Sequence, residues 1–307
     1  MGYQRFDDTD WQQFTSTTRS KPAAAIFTNN SIHPDLDPKG VVSRESRDSD
    51  LNPNSTAIII DVDVTGSMGM LADYFVKEGL GNLFTHIYDR LPVTDPHIMF
   101  MATGDANTDN SPLQVSQFES DISIADQLTK VHVEHGGGGN GFESYEMPWY
   151  FAAFHTSIDC FEKRGKKGYL FTIGDESPSL GVKASQIARF LGPRTELSDI
   201  SLTDMYEIVS KMYNVYHIMV AEGSHCRSYG PEVRREWTNL IGEKAIWLTD
   251  HTKLSEVIES IIEVNEGRDK STVAASWSGD TSLVVNTAIS GLSGGLTTTP
   301  DNKVVRF

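Results

Sequence analysis

The chain has 307 residues, 38% hydrophobic and 9% aromatic, enough for one large domain with extensions or two small ones. Forty-two acidic residues against 26 basic ones leave a net charge of −16, which gives duplex nucleic acid little to bind. Two cysteines make no disulfide framework, no apolar run reaches the ~18 residues of a membrane span, and the opening MGYQRFDDTDWQQF lacks the apolar core of a signal peptide, so a cytoplasmic protein is expected, with no membrane partner.

Residues 1–55 read as a polar extension containing Pro22, Pro34, Pro38 and Pro53. Ala23 to Phe27 suggests a short strand or anchor, and the mixed charge run Ser43 to Asp50 a solvated connection. Ile58 to Asp63 is a β-branched run bounded by turn residues, the pattern of a strand buried on both faces in the middle of a parallel sheet. Gly66 allows a sharp exit. Met70, Leu71, Tyr74, Phe75, Leu80, Leu83, Phe84 and Ile87 then follow at helical spacing, so the loop joins a strand to a helix.

A second buried strand is expected at Ile98 to Ala102, ending in Thr103, Gly104 and Asp105. An acid at the carboxyl end of a parallel strand lies on the ligand-binding edge of an open α/β sheet. Val115 to Phe118 suggests an edge strand and Ile122 to Leu128 a short helix. Val131 to His135 runs into the tract Gly136 to Gly141, interrupted by Asn140, then Phe142, Glu143, Ser144 and a long helix through about Glu162. Tyr169 to Ile173 reads as the fourth strand, ending in Gly174, Asp175 and Glu176. Residues 177–213 form an insertion with two helical patterns, placed to lean over the same edge. Val215 to Ala221 is the fifth strand, Pro231 to Ile241 a helix, Ala245 to Leu248 the sixth strand and Leu254 to Val264 a closing helix. His225 and Cys226, adjacent in the chain, read as loop residues rather than ligands of one ion, and His155 and Cys160 as core. Strands alternate with helices over residues 56–266, which predicts an α/β fold: a doubly wound, mostly parallel, Rossmann-like sheet with helices on both faces. Residues 267–307 are rich in Ser, Thr, Gly and Val, with β-like pieces at Ser282 to Val285 and Lys303 to Phe307 that suggest assembly by strand addition.

Asp63, Thr65 and Ser67 spell D-x-T-x-S in the strand-to-helix turn, one carboxylate and two hydroxyls at alternate positions. Hard oxygens of this kind suit Mg²⁺, or Mn²⁺, which keeps part of its shell as water. This motif, with Met68 and Gly69 after it, resembles the metal-ion-dependent adhesion site of the von Willebrand factor A family, and the resemblance covers residues 56–266. It implies a second ligand loop at the glycine tract, commonly through a Thr that this chain lacks. The nearest oxygens are Asn140, Glu143 and Ser144, with Asn140 the first choice. It also implies a third loop at Asp175, usually acting through water, where the family's Thr before and Gly after are here Gly174 and Glu176. Asp105, Glu143 and Glu176 are expected in the surroundings of the ion. The function implied is binding of another protein, whose exposed Asp or Glu completes the metal's coordination. Family members often serve as adaptors for ATP-driven machines, and this sequence has no phosphate-binding G-x-x-x-x-G-K-[ST] of its own. Single-domain relatives occur in bacteria and phages, which makes a virion component the alternative location.

A second reading belongs to another class. Asp61, Asp63 and Thr65 also spell D-x-D-x-T, which resembles the nucleophile motif of haloacid-dehalogenase-type phosphatases. Asp61 would then attack phosphorus, Asp63 act as general acid, and Lys166 or Lys167 neutralise the phosphate, with Gly174 and Asp175 as the magnesium-binding pair. Lys167 lies only eight residues before Asp175, and a helix rather than a cap follows the first motif.

Overall fold

Eight consecutive residues without one exposed side chain define the central strand. In the computed structural model, which describes residues 7–66, 68–133, 142–192 and 198–293, this strand is β1, Thr56–Asp63. Five more complete the main sheet: β2 (Pro96–Thr103), β3 (Leu113–Val115), β4 (Gly168–Gly174), β5 (Tyr213–Val220) and β6 (Ala245–Leu248). Their order is β6-β5-β4-β1-β2-β3, parallel throughout except for β3, which runs antiparallel to β2 at one edge.

Side chains of β1 alternate between two cores. Ile58, Ile60 and Val62 pack with the helical stretch that starts at Gly69 and with helix Leu254–Asn265, while Ala57 and Ile59 face helices Glu146–Phe154 and Ser224–Ile241. Both faces of the sheet are therefore covered, as an all-parallel centre requires. The expected strand at Val115 to Phe118 runs over Leu113–Val115 instead and breaks off there, where the Ser116 hydroxyl takes the place of a ladder carbonyl and accepts from the Phe100 N–H at 2.8 Å. Backbone pairing resumes between Ile98 and Glu119.

Several expectations need correction. The long helix to Glu162 ends at Phe154, where Thr156 turns its hydroxyl back onto the Ala152 carbonyl at 2.6 Å and Thr156–Ile158 pairs with Arg44–Ser46 as a small parallel ribbon. The charge run from Ser43 is no solvated connection: Arg47 meets Asp159 at 2.9 Å, and Asp48 accepts from Arg164 at 2.8 Å. Ala23–Ile26 is a helical turn rather than a strand, with Ile26 buried. Ser282 to Val285 belongs to helix Gly279–Ile289, whose Val285 and Ile289 join helix Lys270–Ala275 in the first core. Burial against Leu254–Asn265 overrides β propensity there. Trp277, between those helices, donates to Ser260 at 2.8 Å and lies under the Arg90 guanidinium. Lys303 to Phe307 lies outside the described residues. His225 and Cys226, expected as loop residues, lie in the first turn of helix Ser224–Ile241, and Cys160 and Cys226 are buried free thiols. No described helix is long and apolar enough to cross a membrane.

Candidate metal centre

The carboxyl ends of β1, β2 and β4 converge on one edge of the sheet, bringing Asp63, Asp105 and Asp175 to neighbouring positions. Asp63 is fully buried, and its Oδ1 accepts from the backbone N–H of Thr65 at 2.8 Å and from its hydroxyl at 2.7 Å. With its proton committed to Asp63, the Thr65 oxygen keeps lone pairs for a cation. Oδ2 of Asp63 accepts from the Tyr145 hydroxyl at 3.2 Å.

Tyr145 explains why glycine precedes Asp175. A Cβ on Gly174 would lie 1.9 Å from the Tyr145 hydroxyl oxygen, so any other side chain would evict the ring. Asp175, also fully buried, accepts from the His225 backbone N–H at 2.8 Å, and its carbonyl receives the Cys226 thiol at 3.2 Å. It therefore caps helix Ser224–Ile241, where the helix dipole favours an anion. Gly223 permits that approach, since a Cβ there would stand 2.3 Å from the Asp175 side chain. Behind them, Trp237 donates to the Glu176 carbonyl at 2.9 Å and stacks on His217 at 3.6 Å, with Tyr145 edge-on to both rings. His217 is held neutral by burial, which lowers its pKa well below the ordinary value.

Glu143 is 3% exposed, and its Oε2 has no hydrogen-bond partner; Oε2 of Glu176 has none either. Ser144, the other glycine-loop oxygen, is taken by the Ala106 N–H at 2.9 Å. Asp105 folds its own loop: Oδ1 accepts from the Asn107 backbone at 2.9 Å and Oδ2 from Thr108 at 3.0 Å. Ser67 and Asn140, expected as ligands, lie outside the described residues.

Burial first, then mutual repulsion, raises the carboxyl pKa values. Burial raises Asp63, with Asp175 adding to it against the bonds from Thr65. Glu143 is raised by burial and then by Asp63, Glu176, Asp109 and Asp105, all of them acids. Glu176 is pushed up to about 7 by burial, Asp63, Asp175 and Asp105. A cation is the species that relieves such a set, and the two orphaned carboxylate oxygens fit one. Among the described residues, only Glu222, Asp250 and His251 bring three carboxylate or imidazole ligand atoms within 4.8 Å of one another. The acids around Asp63 are spread more widely, which suits a site built on hydroxyls and water with carboxylates around it. In the other cluster His251 is already bonded to Glu222, whose Oε2 accepts from both its backbone N–H and Nδ1.

The acids of the phosphatase reading share one edge of the sheet, but its lysines lie away from them. Asp61 is wholly buried on the same face of β1 as Asp63, its Oδ1 accepting from Thr103 at 2.6 Å, and burial pushes its pKa up to about 8. Lys166 pairs with Glu266 at 2.8 Å and Lys167 donates to the Ser210 carbonyl at 2.6 Å. Both precede Gly168, so β4 separates them from Asp175 at its other end. Tyr145, Gly223 and Trp237 were not anticipated as site residues. The one signal for them in the sequence is Gly174 standing where the family carries Thr.

The sequence matches no protein-family model and no curated protein. Among solved structures, the pilus adhesin SpaC from Lactobacillus rhamnosus GG in its open conformation is similar over 74% of this chain and 31% of its own, with 13% identity and a TM-score of 0.47. A second structure of that adhesin covers 74% of this chain and 32% of its own at 12% identity and TM-score 0.46. A von Willebrand factor type A protein from Catenulispora acidiphila covers 70% and 44%, at 12% identity and TM-score 0.38. This chain spans about a third of the length of the adhesin chains it matches.

Proposed function

We propose that this chain is a von Willebrand factor A-like module that binds a protein partner through a Mg²⁺ or Mn²⁺ ion at the carboxyl edge of β1. Thr65 and Ser67 offer neutral hydroxyl ligands, Asp63 and Asp175 hold the ion from its surroundings, and the glycine loop contributes through Asn140. Neutral ligands leave the ion much of its charge and an open water position, which a partner's Asp or Glu fills. The observation that carries this reading is the buried acid set around Asp63 with unpartnered oxygens on Glu143 and Glu176. Without a cation such buried acids hold on to protons, and a divalent ion that displaces those protons gains a ready set of oxygens.

Calorimetric titration of the full chain with MgCl₂ and MnCl₂ tests it. One ion per chain is expected, with binding weakened about tenfold or more in Ser67→Ala and Thr65→Ala at an unchanged fold. Equal affinity in both variants removes the hydroxyl pair from the site.

A further inference from the structure

A cavity of about 230 Å³ opens beside the metal edge, between the loop after β2 and the start of the insertion. That is several times the ~30 Å³ share of one water molecule, room for the end of a long side chain. Three acids line it, Asp105, Glu143 and Glu146, and the last two are 97–98% buried by their 3% and 2% exposures. Glu146 accepts from Ser179 at 2.5 Å, whereas Oε2 of Glu143 has no partner. Walls from separate parts of the chain are tied together: Phe142 bridges to Ser177, and Gln186 donates to Asn107 at 3.2 Å. Lys183, the cation of the lining, is paired with Asp199 at 3.0 Å, and Asp199 also accepts from the Ala184 N–H.

We propose that this cavity receives the guanidinium group of an arginine side chain on the protein partner. Among the described residues these acids do not bring three ligand atoms within 4.8 Å of one another. A flat group with five N–H donors spans such spacing and bonds carboxylates two at a time. Phe142, 43% exposed, offers a ring for the guanidinium plane, and Leu180, 89% exposed, an apolar rim that a protein surface covers and a free small molecule does not. This rests on the protein-binding reading and sharpens it: the partner segment carries a carboxylate for the ion and an arginine nearby.

The test is a nuclear magnetic resonance titration of the ¹⁵N-labelled full chain with N-acetyl-arginine amide, and separately with the neutral analogue N-acetyl-citrulline amide. Arginine amide is expected to shift the signals of Gly181 and of the Asn107 and Gln186 side chains, and citrulline amide to leave them in place. Glu146→Gln is expected to weaken arginine amide binding about tenfold without changing the magnesium titration. The exposed Lys183→Ala, which threatens no core, is expected to strengthen it. Equal shifts by the two amides, no shift by either, or indifference to both substitutions overturns the proposal. Arginine-specific binding in a chain that fails to bind magnesium leaves the pocket standing and removes the metal reading instead.

Discussion

The two ends of β1 treat buried acids in opposite ways. At the amino end, Asp48 accepts from the Ser55 hydroxyl at 2.8 Å and from Arg164 at 2.8 Å, and Asp159, 2% exposed, pairs with Lys163 at 2.6 Å and Arg47 at 2.9 Å. Burial works against Asp159, yet the bonds from Lys163, the Asp48 N–H and Arg47 hold its carboxyl below the ordinary range. At the carboxyl end, what acts most on Glu143 after burial is more acid. Acids that serve the fold come with basic partners from the same chain. Those around Asp63 are satisfied by hydroxyls and backbone N–H groups and keep oxygens to spare, the difference between a finished structure and an expectant one.

The largest test of that contrast is metal addition. At a hundredfold excess over its dissociation constant, Mg²⁺ should stabilise the chain by about 2.7 kcal/mol in thermal melting. The gain should be greater at pH 8 than at pH 6, because Glu176, raised to about 7, must lose its proton. An equal gain at both values would break the link between the acids and the ion.

Next in size, Arg47→Ala should cost about 2 kcal/mol in urea denaturation. Lys163 remains beside Asp159 and Arg47 is 34% exposed, so the full cost of an orphaned buried charge is not reached. A loss below a few tenths would place the amino-end network among surface pairs of no consequence.

Asp61→Asn should stabilise the metal-free chain by about 1 kcal/mol near pH 8. Its pKa rises from 3.8 to about 8 on folding, so the native chain holds a proton that the unfolded chain has lost. Stability from this group is complete below pH 3.8 and declines as the pH rises toward 8, and the amide should flatten that slope in melts taken from pH 5 to pH 8. An unchanged slope would assign it to other groups. Smallest is Tyr145→Phe, expected to cost under about 1 kcal/mol for one hydrogen bond to Asp63, with a measurable loss of magnesium affinity in calorimetry. Unchanged affinity would make Tyr145 a packing residue only.

The sheet is legible in the sequence because each central strand is a short apolar run ending in an acid or a turn: Ile58 to Asp63, Ile98 to Asp105 and Tyr169 to Asp175 all show it. The same endings put Asp63, Asp105 and Asp175 on one edge by topology alone. The features hidden from the sequence depend on contacts distant along the chain. Ser282 to Val285 looks extended by composition and becomes helical because an apolar face awaits it on Leu254–Asn265. Ser43 to Asp50 looks solvated because its partners, Asp159 and Arg164, are over a hundred residues away. Tyr145 escaped for a similar reason, since nothing local to it announces that Gly174 and Asp63 will frame its hydroxyl.

The stack of Trp237 on His217 makes the site optically addressable. Tyr145 sits 5.7 Å from the Trp237 ring and bonds Asp63, so light absorbed by the phenol reaches an indole whose own N–H is tied to Glu176. Five tryptophans share the emission of this chain, and the difference spectrum between the parent and Trp237→Phe reports on Trp237 together with Trp149, whose ring lies 6.1 Å from it. Occupation of the edge can then be followed in the unlabelled protein by its own fluorescence.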